Sequence, residues 1–85
     1  MTRQEEIRAA LEAAFAPRTL EVINESHQHA GHAGHDGSGE SHYRVRIAAD
    51  AFKGLSRIER HRAVHAALGE ELVGAIHALA LEISD

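Results

Sequence analysis

Histidine is the side chain able to do chemistry in this sequence: there are eight, and there is no cysteine. Imidazole titrates near neutrality and ligates borderline metals through either ring nitrogen. The missing cysteine removes the thiolate as nucleophile or metal ligand, and disulfides as a staple, so soft-metal chemistry would need sulfur from a partner. Four of the histidines, His27, His29, His32 and His35, fall in HQHAGHAGHDGSG at 27–39 with the spacing H-x-H-x2-H-x2-H, among five glycine or serine residues. Such a tract reads as a solvated loop, or as one that picks up zinc, nickel or copper. His77 stands apart in IHALAL, His61 and His65 lie in RIERHRAVHAAL, and His42 opens HYRVRI.

No serine sits in a nucleophile motif, so no catalytic constellation forms and an enzyme is not expected. Charge is placed unevenly. Between His42 and His65 six basic residues face two acidic ones, a local +4; the remainder has three basic and eleven acidic, −8, within a net charge of −4. A basic patch on an acidic chain suits a specific acidic or phosphate-bearing partner better than general nucleic-acid coating. No long apolar run suggests a signal peptide or membrane span, so the reading is a soluble cytoplasmic protein, monomeric when isolated.

The elements that position these groups follow from periodicity. Thr2 and Glu5 form a capping box, with Ile7, Ala10, Leu11, Ala14 and Phe15 as one apolar helix face ending before Pro17. Thr19 to Glu25 alternates as a strand, with Leu20 and Val22 on one face. From His42 to Ala49 a second strand puts Tyr43, Val45 and Ile47 inward, and His42 and Arg44 outward with ordinary exposure. Gly54 allows a tight turn, anchored by Phe52 and Leu55. Ser56 and Glu59 then cap a helix whose stripe is Arg57, His61, Val64, His65 and Leu68, with Ile58 at its edge and Arg60 and Arg62 on its flanks. His61 is read as a packed, locally bonded histidine. After a short turn over 69–73, stopped at Gly74, residues 76–83 fit a strand with His77, Leu79, Leu81 and Ile83 on one face. The order helix–strand–strand–helix–strand predicts one α+β domain over 1–85, with helices on one face of a three-stranded sheet and a His/Gly-rich loop at about 27–39. On the residues alone His77 is either an inward core histidine or a ligand.

LEVINESHQH at 20–29, ESHYRVRI at 40–47, AFKGLSRIERHRAVHAAL at 51–68 and IHALAL at 76–81 together resemble the BolA family along nearly the whole chain. The resemblance implies a fold similar to class II KH domains, with a mixed sheet. It also implies a monothiol glutaredoxin as partner, in a complex sharing a [2Fe–2S] cluster among glutaredoxin cysteine, glutathione and BolA histidine, with roles in iron–sulfur trafficking and iron regulation. His77 matches the family's C-terminal ligand. The second ligand comes from the loop, where His29 is the best match and His32, with His27 and His35, the alternatives. Some bacterial members are tied to transcription.

Three functions therefore stand as expectations. The first is a cluster-sharing partner of a glutaredoxin. The second is DNA binding through the helix after Gly54, using Lys53, Arg57, Arg60 and Arg62; against it, the turn Phe52–Arg57 holds one glycine rather than a GxxG loop. The third is a divalent-metal buffer built on the histidine loop.

Overall fold

A computed structural model of the chain describes residues 2–26 and 42–85. The expected loop at 27–39, with His27, His29, His32 and His35, lies outside the described residues. Helix α1 (Arg3–Phe15) begins at the Thr2/Glu5 capping box and ends at Ala16, whose φ of 45° is left-handed. Pro17 then prevents continuation. Strands β1 (Thr19–Asn24) and β2 (His42–Ala48) pair antiparallel, Val22 opposite Val45. A 3-10 turn (Asp50–Phe52) and Gly54, at φ 78°, lead into helix α2 (Arg57–Leu68) through the Ser56/Glu59 capping box. Helix α3 (Glu70–Ala75) follows Gly69, and strand β3 (Ala78–Ser84) pairs parallel to β2 from His42–Ala78 to Ala48–Ser84.

The sheet order β1-β2-β3 makes it a mixed three-stranded sheet with β2 central. This is the α+β architecture expected, compatible with a class II KH-like arrangement. Side-chain alternation fixes its two faces. Val22, Tyr43, Val45 and Ile47 turn toward Ile7 and Leu11 of α1 and Val64 and Leu68 of α2, closing the core with Phe52. Phe52 and Phe15 lie ring to ring at 4.7 Å. The opposite face carries the paired charges: Arg44 bonds Glu25 at 3.1 Å and Glu82 at 2.9 Å, and Arg46 bonds Glu82 at 3.3 Å.

Five expectations need correction. Residues 70–75 are a helix rather than a turn stopped at Gly74; the reversal falls at Gly69, whose φ is 87°. The last strand starts at Ala78, so Ile76 is buried and His77, read as inward-facing with Leu79, is exposed just ahead of the strand. The buried line of α2 is turned from the expected stripe: Val64 and Leu68 are buried with Arg60, Ala63 and Ala67 half-buried, while Arg57 and His65 are exposed and His61 is half-buried. Two alanines let that side of α2 pack toward the core, and Arg60 at its edge donates from Nε to the Leu55 carbonyl. His42, expected exposed, is only 7% exposed. In α1, Ala14 is likewise exposed rather than part of the buried face.

Candidate metal centre

His42 and His77 meet at one end of the sheet. They arrive there because β2 and β3 run parallel in register: His42 opens β2 opposite Ala78, which opens β3, and His77 immediately precedes it. Their ring centres lie 5.2 Å apart with planes inclined by 58°. The two environments differ. His77 is exposed, while His42 is buried and held by its backbone. The Ser26 hydroxyl accepts the His42 N–H at 3.0 Å and donates to the His42 carbonyl at 3.4 Å; the Glu25 N–H also donates to that carbonyl at 2.9 Å. Ser26 is itself tethered through its N–H to Asn24 Oδ1 at 2.9 Å. The N-E-S segment therefore shapes the chain end that clasps His42.

Among the described residues no group of three or more histidine, cysteine, aspartate or glutamate side chains stands close enough to hold a metal by itself. The donor set here is two imidazoles. That is half of a tetrahedral complement, and a chain without cysteine cannot complete a sulfur-rich one. Among the described residues, these two imidazoles would fit a metal group completed by donors from elsewhere rather than one they enclose themselves.

Arg44 stands two residues along the same face from His42, but its charge is already answered. Its hydrogen bonds to Glu25 and Glu82 hold the guanidinium pKa above its usual value, and the Arg44 bond keeps the Glu82 carboxyl below the usual carboxylate range.

The predicted nucleic-acid residues divide. Lys53 is exposed and pairs with Asp50 at 3.6 Å. Arg60 turns inward, its Nε donating to the Leu55 carbonyl at 3.1 Å and its head reaching Asp85 at 3.9 Å. Arg57 and Arg62, with Ile58, His61 and His65, line a groove of about 490 Å³ on the outer side of α2. They make no ion pair among the described residues, and Ile58 beside them is 62% exposed. Sequence reasoning missed His42. The signal was there in principle: a β2–β3 parallel pairing aligned on Val45 and Leu81 places His42 against the residue after His77.

Fold and site together define a small α+β binding domain that presents imidazoles at one end of a mixed sheet and guanidinium groups on one helix. A family model described as BolA-like protein matches residues 11–84. A protein of Sinorhizobium known from the cobS 5' region is 57% identical over 83 residues, covering 96% of this chain and 89% of that one. Human BolA-like protein 1 is 53% identical over 76 residues, 89% of this chain; the chain spans 53%, about half, of that relative's length. The DNA-binding transcriptional regulator BolA of Escherichia coli is 43% identical over 81 residues, covering 95% of this chain and 73% of its own. Among solved structures, BolA1 of Arabidopsis thaliana superposes with TM-score 0.84 at 36% identity, covering 99% of this chain and 92% of that one. The BolA domain of Arabidopsis SufE1 gives TM-score 0.84 at 40% identity with the same coverage. The chain belongs to the BolA family. These relatives are named as regulators or BolA-like proteins, not as enzymes.

Proposed function

We propose that this domain is a non-enzymatic partner of a monothiol glutaredoxin that contributes histidine to a shared [2Fe–2S] cluster, in iron–sulfur trafficking or iron regulation. The observation that carries the reading is an exposed His77 at one end of the sheet, in a chain with no thiolate. Iron–sulfur clusters take sulfur ligands first, and exchanging thiolate for imidazole raises the potential and makes ligation sensitive to pH. Glutaredoxin cysteine and glutathione would supply the sulfur, and His77 the fixed nitrogen. A second histidine of this chain, His29 by the family resemblance, would complete the set. A cluster held by exposed imidazole on one side is placed for transfer rather than storage.

The test is visible absorption and circular dichroism of a mixture reconstituted with a monothiol glutaredoxin, iron, sulfide and glutathione. A spectrum distinct from the glutaredoxin homodimer, lost in His77→Ala, is expected. An unchanged spectrum and unchanged complex stability in that variant would sink the reading.

DNA binding is the second reading, favoured by the Escherichia coli relative's name and by exposed Arg57 and Arg62 on α2. It would use two arginines rather than the four cations expected, because Arg60 and Lys53 are engaged within the domain.

A further inference from the structure

We propose that the free edge of β3 is a docking strand for an extended, acidic segment of another protein, which joins the sheet by pairing with it. The two edges of the sheet are built differently. On β1 the Glu25 N–H donates to the His42 carbonyl, an alternation that turns Leu20 and Val22 to the outer edge. Their carbonyls are already taken by α1: Gln4 Nε2 donates to Val22 at 2.7 Å, and an Arg8 guanidinium N–H donates to Leu20 at 3.2 Å. On β3 the Ser84 carbonyl accepts the Ala49 N–H at 3.2 Å, so Ser84 faces β2. A residue in a parallel strand presents its N–H and carbonyl to the same side, so Leu79, Leu81 and Ile83 present theirs to the open edge. Among the described residues nothing bonds to these groups. The strand also lacks the usual guards of an edge: ALALEIS holds no proline and no lysine, and its seven pairs with β2 run without a bulge.

The chemistry beside this edge names the occupant. Leu79, Leu81 and Ile83 pack their side chains toward the core but are only half-buried. A groove of about 460 Å³ between β3 and α2 is lined by Leu55, Leu81 and Ile83 with Arg57, Arg60 and His61. A strand laid on β3 drops every second side chain onto that apolar floor. An acidic one among them meets Arg57, which has no ion pair among the described residues. Two other occupants fit less well. A second copy of this chain, pairing β3 with β3, brings Arg57 and Arg60 of both copies to one seam, like charge against like. A nucleic acid offers phosphates, which accept hydrogen bonds but do not donate them, and so leave the edge carbonyls without a donor.

The test uses the full chain and a labelled synthetic peptide of about nine residues, alternating valine and threonine with aspartate at both ends. Amide hydrogen exchange is followed by NMR, residue by residue. Saturating peptide is expected to slow exchange at Leu79, Leu81 and Ile83 by about tenfold or more while leaving Leu20 and Val22 unchanged. Exchanging the terminal aspartates for lysines, or introducing Arg57→Glu, is expected to weaken binding by about fivefold or more in fluorescence anisotropy. Leu81→Pro removes an edge N–H without taking one from the β2 ladder, and is expected to abolish binding. Should that variant fail to fold, the exchange pattern of the wild type decides the matter. No slowing at the β3 amides, equal slowing at Leu20 and Val22, or equal affinity for the lysine-ended peptide would overturn the proposal. So would slowing of the β3 amides with rising protein concentration and no peptide, which assigns the edge to a second copy. Single-stranded DNA that displaces the peptide with higher affinity would overturn it in favour of nucleic acid.

Discussion

A buried backbone N–H left without an acceptor costs about 1–3 kcal/mol, and at His42 it is the Ser26 hydroxyl that prevents this. Ser26 is only 1% exposed, so water does not readily replace it. Ser26→Ala is therefore expected to lower stability by about 1–3 kcal/mol in chemical denaturation, since the N–H loses its acceptor while the carbonyl keeps the Glu25 N–H. The same change should broaden or move the His42 ring signals, because the clasp fixes the residue carrying the ring. A variant with full stability and unchanged His42 signals would show that the clasp is incidental. Part of this site could be read from the sequence. His77 stood out through IHALAL, and the first strand was expected over Thr19 to Glu25, close to the observed Thr19–Asn24. His42 was assigned to the outer face of its strand correctly, but alternation says which way a side chain leaves the sheet and nothing about what covers it there. Its ring neighbour is His77, thirty-five positions later in the chain, met through a parallel register that neither segment encodes alone.

Element ends carry the next set of forces. Both capping boxes were legible because their chemistry is local: hydroxyl, carboxylate and two orphan N–H groups within four residues. In α2 the Ser56 N–H donates to Glu59 at 2.8 Å, and this bond holds the Glu59 carboxyl below the ordinary carboxylate value of 4.5. A carboxyl with a depressed folded pKa adds stability that is fully present above its unfolded pKa and fades as pH falls through the folded one. Glu59→Ala should thus destabilise at pH 7, and the gap from wild type should narrow as pH falls progressively below 4.5; thermal melts across that range check this. The end of α1 was less legible. Pro17 announced a stop, but the left-handed Ala16 that makes it, at φ 45°, could not be seen from a helix-favouring alanine run. Left-handed backbone strains any residue with a Cβ, so Ala16→Gly should raise stability by about 0.5–1 kcal/mol while keeping the Ala16 N–H to Glu12 carbonyl bond. Loss of stability would mean that glycine's unfolded-state entropy outweighs the relief. The rotation of α2 was illegible for a different reason. His61 and His65 count as apolar or polar depending on surroundings, so the helical period admits two faces, and packing of Ala63 and Ala67 toward the core selects between them.

At the scale of the whole molecule, ion pairing decides what the uneven charge can do. The basic segment carries +4 by count, but Arg44 and Arg46 are tied to Glu25 and Glu82, Lys53 to Asp50, and Arg60 to Asp85. Arg57 and Arg62 on α2 are what remains of its cations without an ion pair among the described residues, on a molecule of net charge −4. Duplex DNA binding releases counterions in proportion to the phosphates neutralised, with a log–log salt slope of about −0.9 per contact. Two arginines outside any ion pair among the described residues thus predict a slope near −2, with weak binding at physiological salt because the acidic remainder repels the same phosphates. Fluorescence anisotropy with a labelled duplex between low and physiological salt would measure it. Arg57→Ala with Arg62→Ala should flatten the slope toward zero, whereas Lys53→Ala should change it little. A slope steeper than about −4, or sub-micromolar sequence-specific binding at physiological salt, would mean that the paired arginines exchange Glu25 and Glu82 for phosphate. The sheet face beside His42 would then be a nucleic-acid surface, and DNA and the glutaredoxin would compete for one end of the domain.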